Sequence, residues 1–97
     1  MEVWINLELD IELKPIHVGK RVGIELSKRQ IVLENEEGGT KEVAPLVYVV
    51  WRKCNSENTV NDLIEYCVER TRKSKHFIEG IVFNILEDLK NDGFLNY

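Results

Sequence analysis

The chain is short of nearly everything that advertises chemistry. Its 97 residues hold two histidines and two cysteines. Neither Cys54 nor Cys67 belongs to a CxxC pair or a Cys/His cluster, so a metal site would have to gather ligands from unrelated elements. His17 and His76 stand isolated, and no GxSxG, P-loop or HExxH motif is present. No catalytic residue, metal or cofactor is therefore expected. The longest apolar run, residues 46–51, is far too short to cross a bilayer. No basic stretch precedes an apolar block at the N-terminus, which argues against a signal peptide. Basic residues are outnumbered 13 to 17, and the net charge of −4 offers no global attraction to nucleic acid or anionic lipid. Each cysteine lies on an apolar stripe, where a buried free thiol is a better account than a disulfide. The chain reads as one domain over residues 1–97, reduced and cytoplasmic, with no membrane partner.

What is present is periodicity. Residues 3–13 are apolar at every odd position, with acidic and polar residues between them and only Trp4 breaking the polar face. Period two of this length predicts a half-buried strand, ended or bent by Pro15. Its acidic face (Glu8, Asp10, Glu12) is either a binding surface or a solvated guard on an edge strand. Val22, Ile24 and Leu26 mark a second strand and Gln30–Glu34 a third. The loop that follows, Asn35-Glu36-Glu37-Gly38-Gly39, has hairpin chemistry, and Thr40–Val43 completes the pair. Pro45–Lys53 has strand propensity in its valines and aromatics, yet its proline and the spacing of Leu46, Val49, Val50 and Cys54 also suit a helix; the residues alone leave both open.

The C-terminal half is plainly helical. Val60, Leu63, Ile64, Cys67 and Val68 recur at i, i+3, i+4, i+7 and i+8, with Thr59 and Asp62 placed to cap the start. After a polar turn at 71–75, Phe77, Ile78, Ile81, Val82, Ile85, Leu86 and Leu89 share half the circumference of a helix that Gly93 stops. Phe94 and Leu95 can fold back on the core. Strands followed by helix, turn and helix predict an α+β, winged helix-turn-helix domain, with N-terminal antiparallel strands and then three helices.

The charges bear on what such a domain binds. Arg70, Arg72, Lys73, Lys75 and His76 cluster at the turn and favour DNA. Opposing them, the outer face of the last helix carries Glu79, Phe83, Glu87 and Lys90, with Asp88 and Asp92 nearby. The hairpin tip that would serve as a wing carries Glu34, Glu36 and Glu37. Carboxylates beside phosphates weaken binding, so nucleic acid is not the expected partner. Phe83 falls outside the apolar half of its helix: it either packs on the N-terminal strand or floors a groove for an extended peptide.

From Arg21 onward, residues 21–97, the chain resembles the PqqD-like proteins, or RiPP recognition elements. The resemblance runs through the strands at 21–26, Gln30–Glu34 and Thr40–Val43, and the helix Pro45–Lys53. It continues through Thr59-Val60-Asn61-Asp62-Leu63-Ile64, matching a T-V-x-x-L/I opening, and the closing stretch from Leu86 to Leu95 around Gly93. It implies that Pro45–Lys53 is a helix. It also implies a non-catalytic domain that binds the leader of a ribosomally made precursor peptide and delivers it to a modifying enzyme of radical S-adenosylmethionine type. The leader would add as a strand beside Thr40, Lys41, Glu42 and Val43 and rest on the last helix at Phe83 and Leu86, with Lys41 free to pair with a peptide acid. Two features depart from the pattern. Ala44-Pro45 replaces the usual capping residue, and residues 1–20 are an extension, free to pair with another subunit as a homodimer or to cover the groove. A winged-helix DNA-binding regulator and a structural dimerisation module are the competing readings.

Overall fold

The computed structural model describes residues 10–97. A strand-rich N-terminal region precedes three helices, giving an α+β architecture. In order the elements are β1 (Ile16–His17), β2 (Lys20–Glu25), β3 (Gln30–Glu34), β4 (Thr40–Val43), α1 (Pro45–Lys53), α2 (Val60–Thr71), α3 (Lys75–Asn91) and β5 (Leu95–Asn96). Among the described residues, β2, β3 and β4 form an antiparallel meander, and β1 pairs with β5 in a separate two-stranded ladder. No helix among them is long and apolar enough to cross a membrane.

The N-terminal strand expected over residues 3–13 falls largely on residues outside those described. Where it can be checked it fails. Residues 10–13 form a turn, in which Leu13 N donates to the Asp10 carbonyl (3.0 Å) and Glu12 N to Asp10 Oδ1 (2.8 Å). The physical reason lies at the start of α2, whose first N–H groups have no partner within the helix. Val60 N and Asn61 N donate to the carbonyls of Leu13 and Ile11 (2.8 and 3.0 Å). The backbone then continues as a strap: Ser56 N donates to Pro15 O, His17 N to Cys54 O and Val18 N to Phe94 O. Period two alone registers the side chains but not this competing use of the backbone.

The β3–β4 hairpin closes as its composition predicts. Gly38 N donates to Asn35 O (3.1 Å) and Asn35 N to Gly39 O (2.8 Å), with Gly38 at φ +90° supplying the left-handed residue. Leu33 and Val43 point into the core, where helices cover them.

Pro45–Lys53 is a helix, because that conformation buries Val50, Trp51 and Cys54 together. Its N-cap Ala44 makes no side-chain bond. Trp51 joins three parts of the chain: its indole N–H donates to the Phe94 carbonyl (3.0 Å), and its ring centroid lies 4.5 Å from that of His17. In α2 the capping box forms in full, with Asp62 N donating to Thr59 Oγ1 (3.0 Å) and Thr59 N to Asp62 Oδ2 (2.9 Å). Ser74, read from the sequence only as part of a turn, caps α3 by accepting from Phe77 N (3.2 Å). Phe77 itself is 52% exposed, unlike Ile78, Val82, Leu86 and Leu89 of the same expected stripe. In the first turn of α3 it hangs beyond the core.

The end of α3 is a Schellman motif. Phe94 N donates to Leu89 O (2.7 Å) and Gly93 N to Lys90 O (3.1 Å), while Gly93 sits at φ +86°. Leu89 and Phe94, the apolar pair that accompanies this motif, are both buried. Gly93→Ala places a Cβ 3.3 Å from Asn35 Nδ2 in a left-handed conformation. The expected loss is about 1–2 kcal/mol, read from the midpoint of urea unfolding.

Cys54 and Cys67 are both free and buried. Burial pushes the Cys54 thiol up to about 12 from 9.0, and raises Cys67 as well. The neutral thiol is the form that fits the fold, so the stabilising contribution is whole below 9.0 and falls as pH climbs from there towards about 12. Stability measured on either side of pH 9.0 should therefore decline on the alkaline side. Cys54→Ala should flatten that decline.

Candidate peptide-binding edge

β4 is a terminal strand of the meander, and among the described residues nothing pairs with its outer side. The hydrogen bond from Asn35 to Gly39 sets the phase of the ladder, since bonded and open pairs alternate along antiparallel strands. Leu33–Lys41 and Ile31–Val43 are therefore the bonded pairs, and Thr40 and Glu42 turn their N–H and C=O groups outward. Side chains alternate the other way. Lys41 and Val43 face α3, while Thr40 and Glu42 are exposed on the opposite face.

Beside this edge, between β4 and α3, lies a cavity of about 170 Å³. Lys41, Val43 and Val47 line one side, and Ile85, Asp88 and Leu89 line the other. The three residues of α3 sit at i, i+3 and i+4, the spacing that turns one stripe of a helix towards a neighbour. Asp92, one turn further on, belongs to the same stripe. Its carboxylate lies 2.6 Å from Lys41 Nζ.

The expected site residues divide on this geometry. Thr40, Lys41, Glu42 and Val43 lie together on the edge, with Glu42 3.3 Å from Lys28 Nζ. Lys41 is already matched to Asp92 within the chain rather than free for an acidic residue of a ligand. Leu86 is fully buried in the core and does not line the cavity. Phe83 is half-buried against the core and takes no part in lining the cavity. It lies about 200° around the helix from Ile85 at roughly 100° per residue. An aromatic outside the apolar half-circle looks available in sequence, but availability does not aim it at β4. Ile85 and Leu89 were legible as apolar positions of α3; their contact with β4 was not.

Asn35, read from the sequence only as part of the hairpin loop, holds the arrangement in register. Its Oδ1 accepts from Glu37 N and Gly39 N (3.0 and 2.8 Å), fixing the hairpin loop. Its Nδ2 donates to the Asp92 carbonyl (2.9 Å), tying that loop to the end of α3. The local half of this role is an ordinary Asx turn. Nothing in the spacing of residues 35 and 92 announces the long-range half.

The basic turn is the rival surface. Arg70 Nη1 donates to Tyr66 Oη (2.9 Å), Lys53 Nζ lies 4.5 Å from the Tyr66 ring centroid and Lys73 Nζ 6.0 Å from that of Phe77. Among the described residues, the ion pairs are Lys20–Glu34, Lys28–Glu42 and Lys41–Asp92, and none involves this turn. It is a cationic, partly aromatic patch that, among the described residues, has no strand edge, and the open cleft beside it is lined by Asp62, Glu65 and Glu69 as well as Tyr66 and Lys75.

No protein-family model, curated protein or solved structure matches this chain significantly.

Asn35→Ala removes three hydrogen bonds and frees the loop from α3. A stability loss of about 1–2 kcal/mol is expected, with backbone amide shifts concentrated in the hairpin loop and at Asp92 and Gly93. Lys41→Met should cost at most about 1 kcal/mol, because the Lys41–Asp92 pair is partly exposed. Equal losses from the two changes in a urea titration would contradict this ranking.

Proposed function

We propose that this chain is a non-catalytic peptide-recognition domain of winged helix-turn-helix form. It takes the leader of a ribosomally made precursor peptide by strand addition and presents it to a modifying enzyme. The observation that carries the reading is the open edge of β4 set beside an apolar-sided cavity. An added strand gains hydrogen bonds from the outward groups of Thr40 and Glu42, largely regardless of its sequence. Specificity then comes from the cavity, whose volume suits one medium-sized aliphatic side chain between Val43, Val47, Ile85 and Leu89. The β2–β3–β4 meander and the α2–α3 pair supply the parts of a winged helix, and the resemblance to PqqD-like proteins supplies the class of partner.

The test is a titration of isotope-labelled protein with the leader of a short precursor encoded beside it, following amide shifts. Shifts are expected at Thr40–Val43 and along the Ile85, Asp88 and Leu89 stripe. Glu42→Pro removes one outward N–H while sparing the bonded pairs with β3, and should weaken binding about tenfold. Phe83→Ala should leave affinity unchanged. Shifts confined to residues 70–77, with β4 unmoved, would reject strand addition. Submicromolar binding of random duplex DNA through the same residues would favour the regulator reading instead.

A further inference from the structure

The sheet has a second terminal strand, β2, and among the described residues nothing pairs with its outer side. Val22 and Ile24 are 47% and 53% exposed, and Leu26, just past its end, is 80% exposed. An edge with exposed aliphatic side chains is a template for a further strand. Ladder phase decides which backbone groups it offers. Ile31 and Leu33 bond to β4, so Gln30, Val32 and Glu34 bond to β2 through Glu25, Gly23 and Lys20. Val22 is the extra residue of a bulge, so Val22 and Gly23 together oppose Val32. The residues left to turn N–H and C=O outward are Arg21 and Ile24, three positions apart instead of two. A regular strand offers bonding groups at every second residue, so in register it meets only one of them. A strand with the same bulge meets both, and a second copy of β2 is such a strand.

We infer that two copies of the chain pair antiparallel through β2, about a two-fold axis that passes between Val22 and Gly23. Arg21 of each copy exchanges its backbone hydrogen bonds with Ile24 of the other, as an isologous contact requires. The same register sets Lys20 of each copy opposite Glu25 of the other, in a non-bonded pair where side chains approach most closely. The Lys20 side chain is 72% exposed and its ammonium lies 3.8 Å from Glu34. Glu25 accepts from Ser27 Oγ through Oε2 (2.6 Å). Each keeps bonding capacity for the new neighbour, so the charges supplement a contact made chiefly by backbone and aliphatic side chains. Other registers that join outward residues do worse. Arg21 against Arg21 opposes like charges, and Ile24 against Ile24 uses a single pair and runs β2 into the turn at 26–29. At β4 the equivalent pairing, Thr40 with Glu42, sets Lys41 against Lys41 at the axis. The dimer is thus one continuous sheet running from one β4 to the other, with both β4 edges left open. The inference holds whether or not those edges take a leader peptide.

Sedimentation equilibrium and amide exchange of the full chain test it. A monomer–dimer equilibrium is expected, with the Ile24 amide exchanging at least about tenfold more slowly where the dimer prevails than after dilution to the monomer. Ile24→Pro removes an outward N–H and spares the bonded pairs of Gly23 and Glu25 with β3. It should leave only a monomer, with α2 and α3 still protected. Glu25→Lys should weaken association about tenfold, and adding Lys20→Glu should restore it. A monomer at every concentration would overturn the inference. So would a dimer that survives Ile24→Pro, a charge exchange that restores nothing, or Ile24 protection that is unchanged on dilution and so arises within one molecule.

Discussion

Everything in the candidate site depends on one join, where the β3–β4 hairpin meets the C-terminus of α3. A helix end leaves carbonyls without intrahelical partners, and a tight hairpin leaves loop amides in the same condition. Asn35 answers both needs with one side chain, accepting from two loop amides and donating to the Asp92 carbonyl. The Schellman turn at Gly93 brings that carbonyl into reach, and Lys41 adds an ion pair to the Asp92 carboxylate. Because β4 is held to α3 at this end, the cavity between them has a definite width. If the join loosened, the edge and its lining would lose their relation even with every element intact.

A second join is made largely by backbone. The segment from Ile11 to Val18 donates and accepts along its length with the start of α2, the end of α1 and Phe94. Trp51 stands at the centre of this strap, filling the core with its ring and spending its one polar group on the Phe94 carbonyl. A buried indole N–H without a partner would be costly, so the chain's C-terminus is recruited to supply one. The same Phe94 carbonyl also accepts from Val18 N, which holds the short β1–β5 ladder beside Trp51.

The two edges of the meander carry different chemistry. Around β4 lie ion pairs, carboxylates and a small apolar-sided cavity; along β2 lie the exposed side chains of Val22, Ile24 and Leu26, with Glu25 and the Lys20–Glu34 pair among them. A sheet with two equivalent open edges invites indiscriminate association. The difference in charge and apolar content makes the two edges inequivalent.

Most of the fold was legible before any coordinates. The bounds of Gln30–Glu34, Thr40–Val43 and Lys75–Asn91, the Thr59–Asp62 capping box and the left-handed Gly93 follow from periodicity and local backbone preference, which act within a few residues. Pro45–Lys53 was open on its residues alone, because a short run of valines and aromatics satisfies both periods; only burial of Val50, Trp51 and Cys54 against the rest decided for the helix. The site divided in the same manner. Thr40–Val43 could be placed on a strand from sequence, and the apolar positions of α3 could be counted. Which stripe of α3 meets β4 is a matter of rotation about the helix axis, set by the packing of every other element, and so Ile85, Asp88 and Leu89 stand where Phe83 and Leu86 were expected. Asn35 shows the limit most clearly. Its turn chemistry belongs to the local sequence, while its bond to Asp92 exists only because the chain has folded residues 57 positions apart into hydrogen-bonding distance.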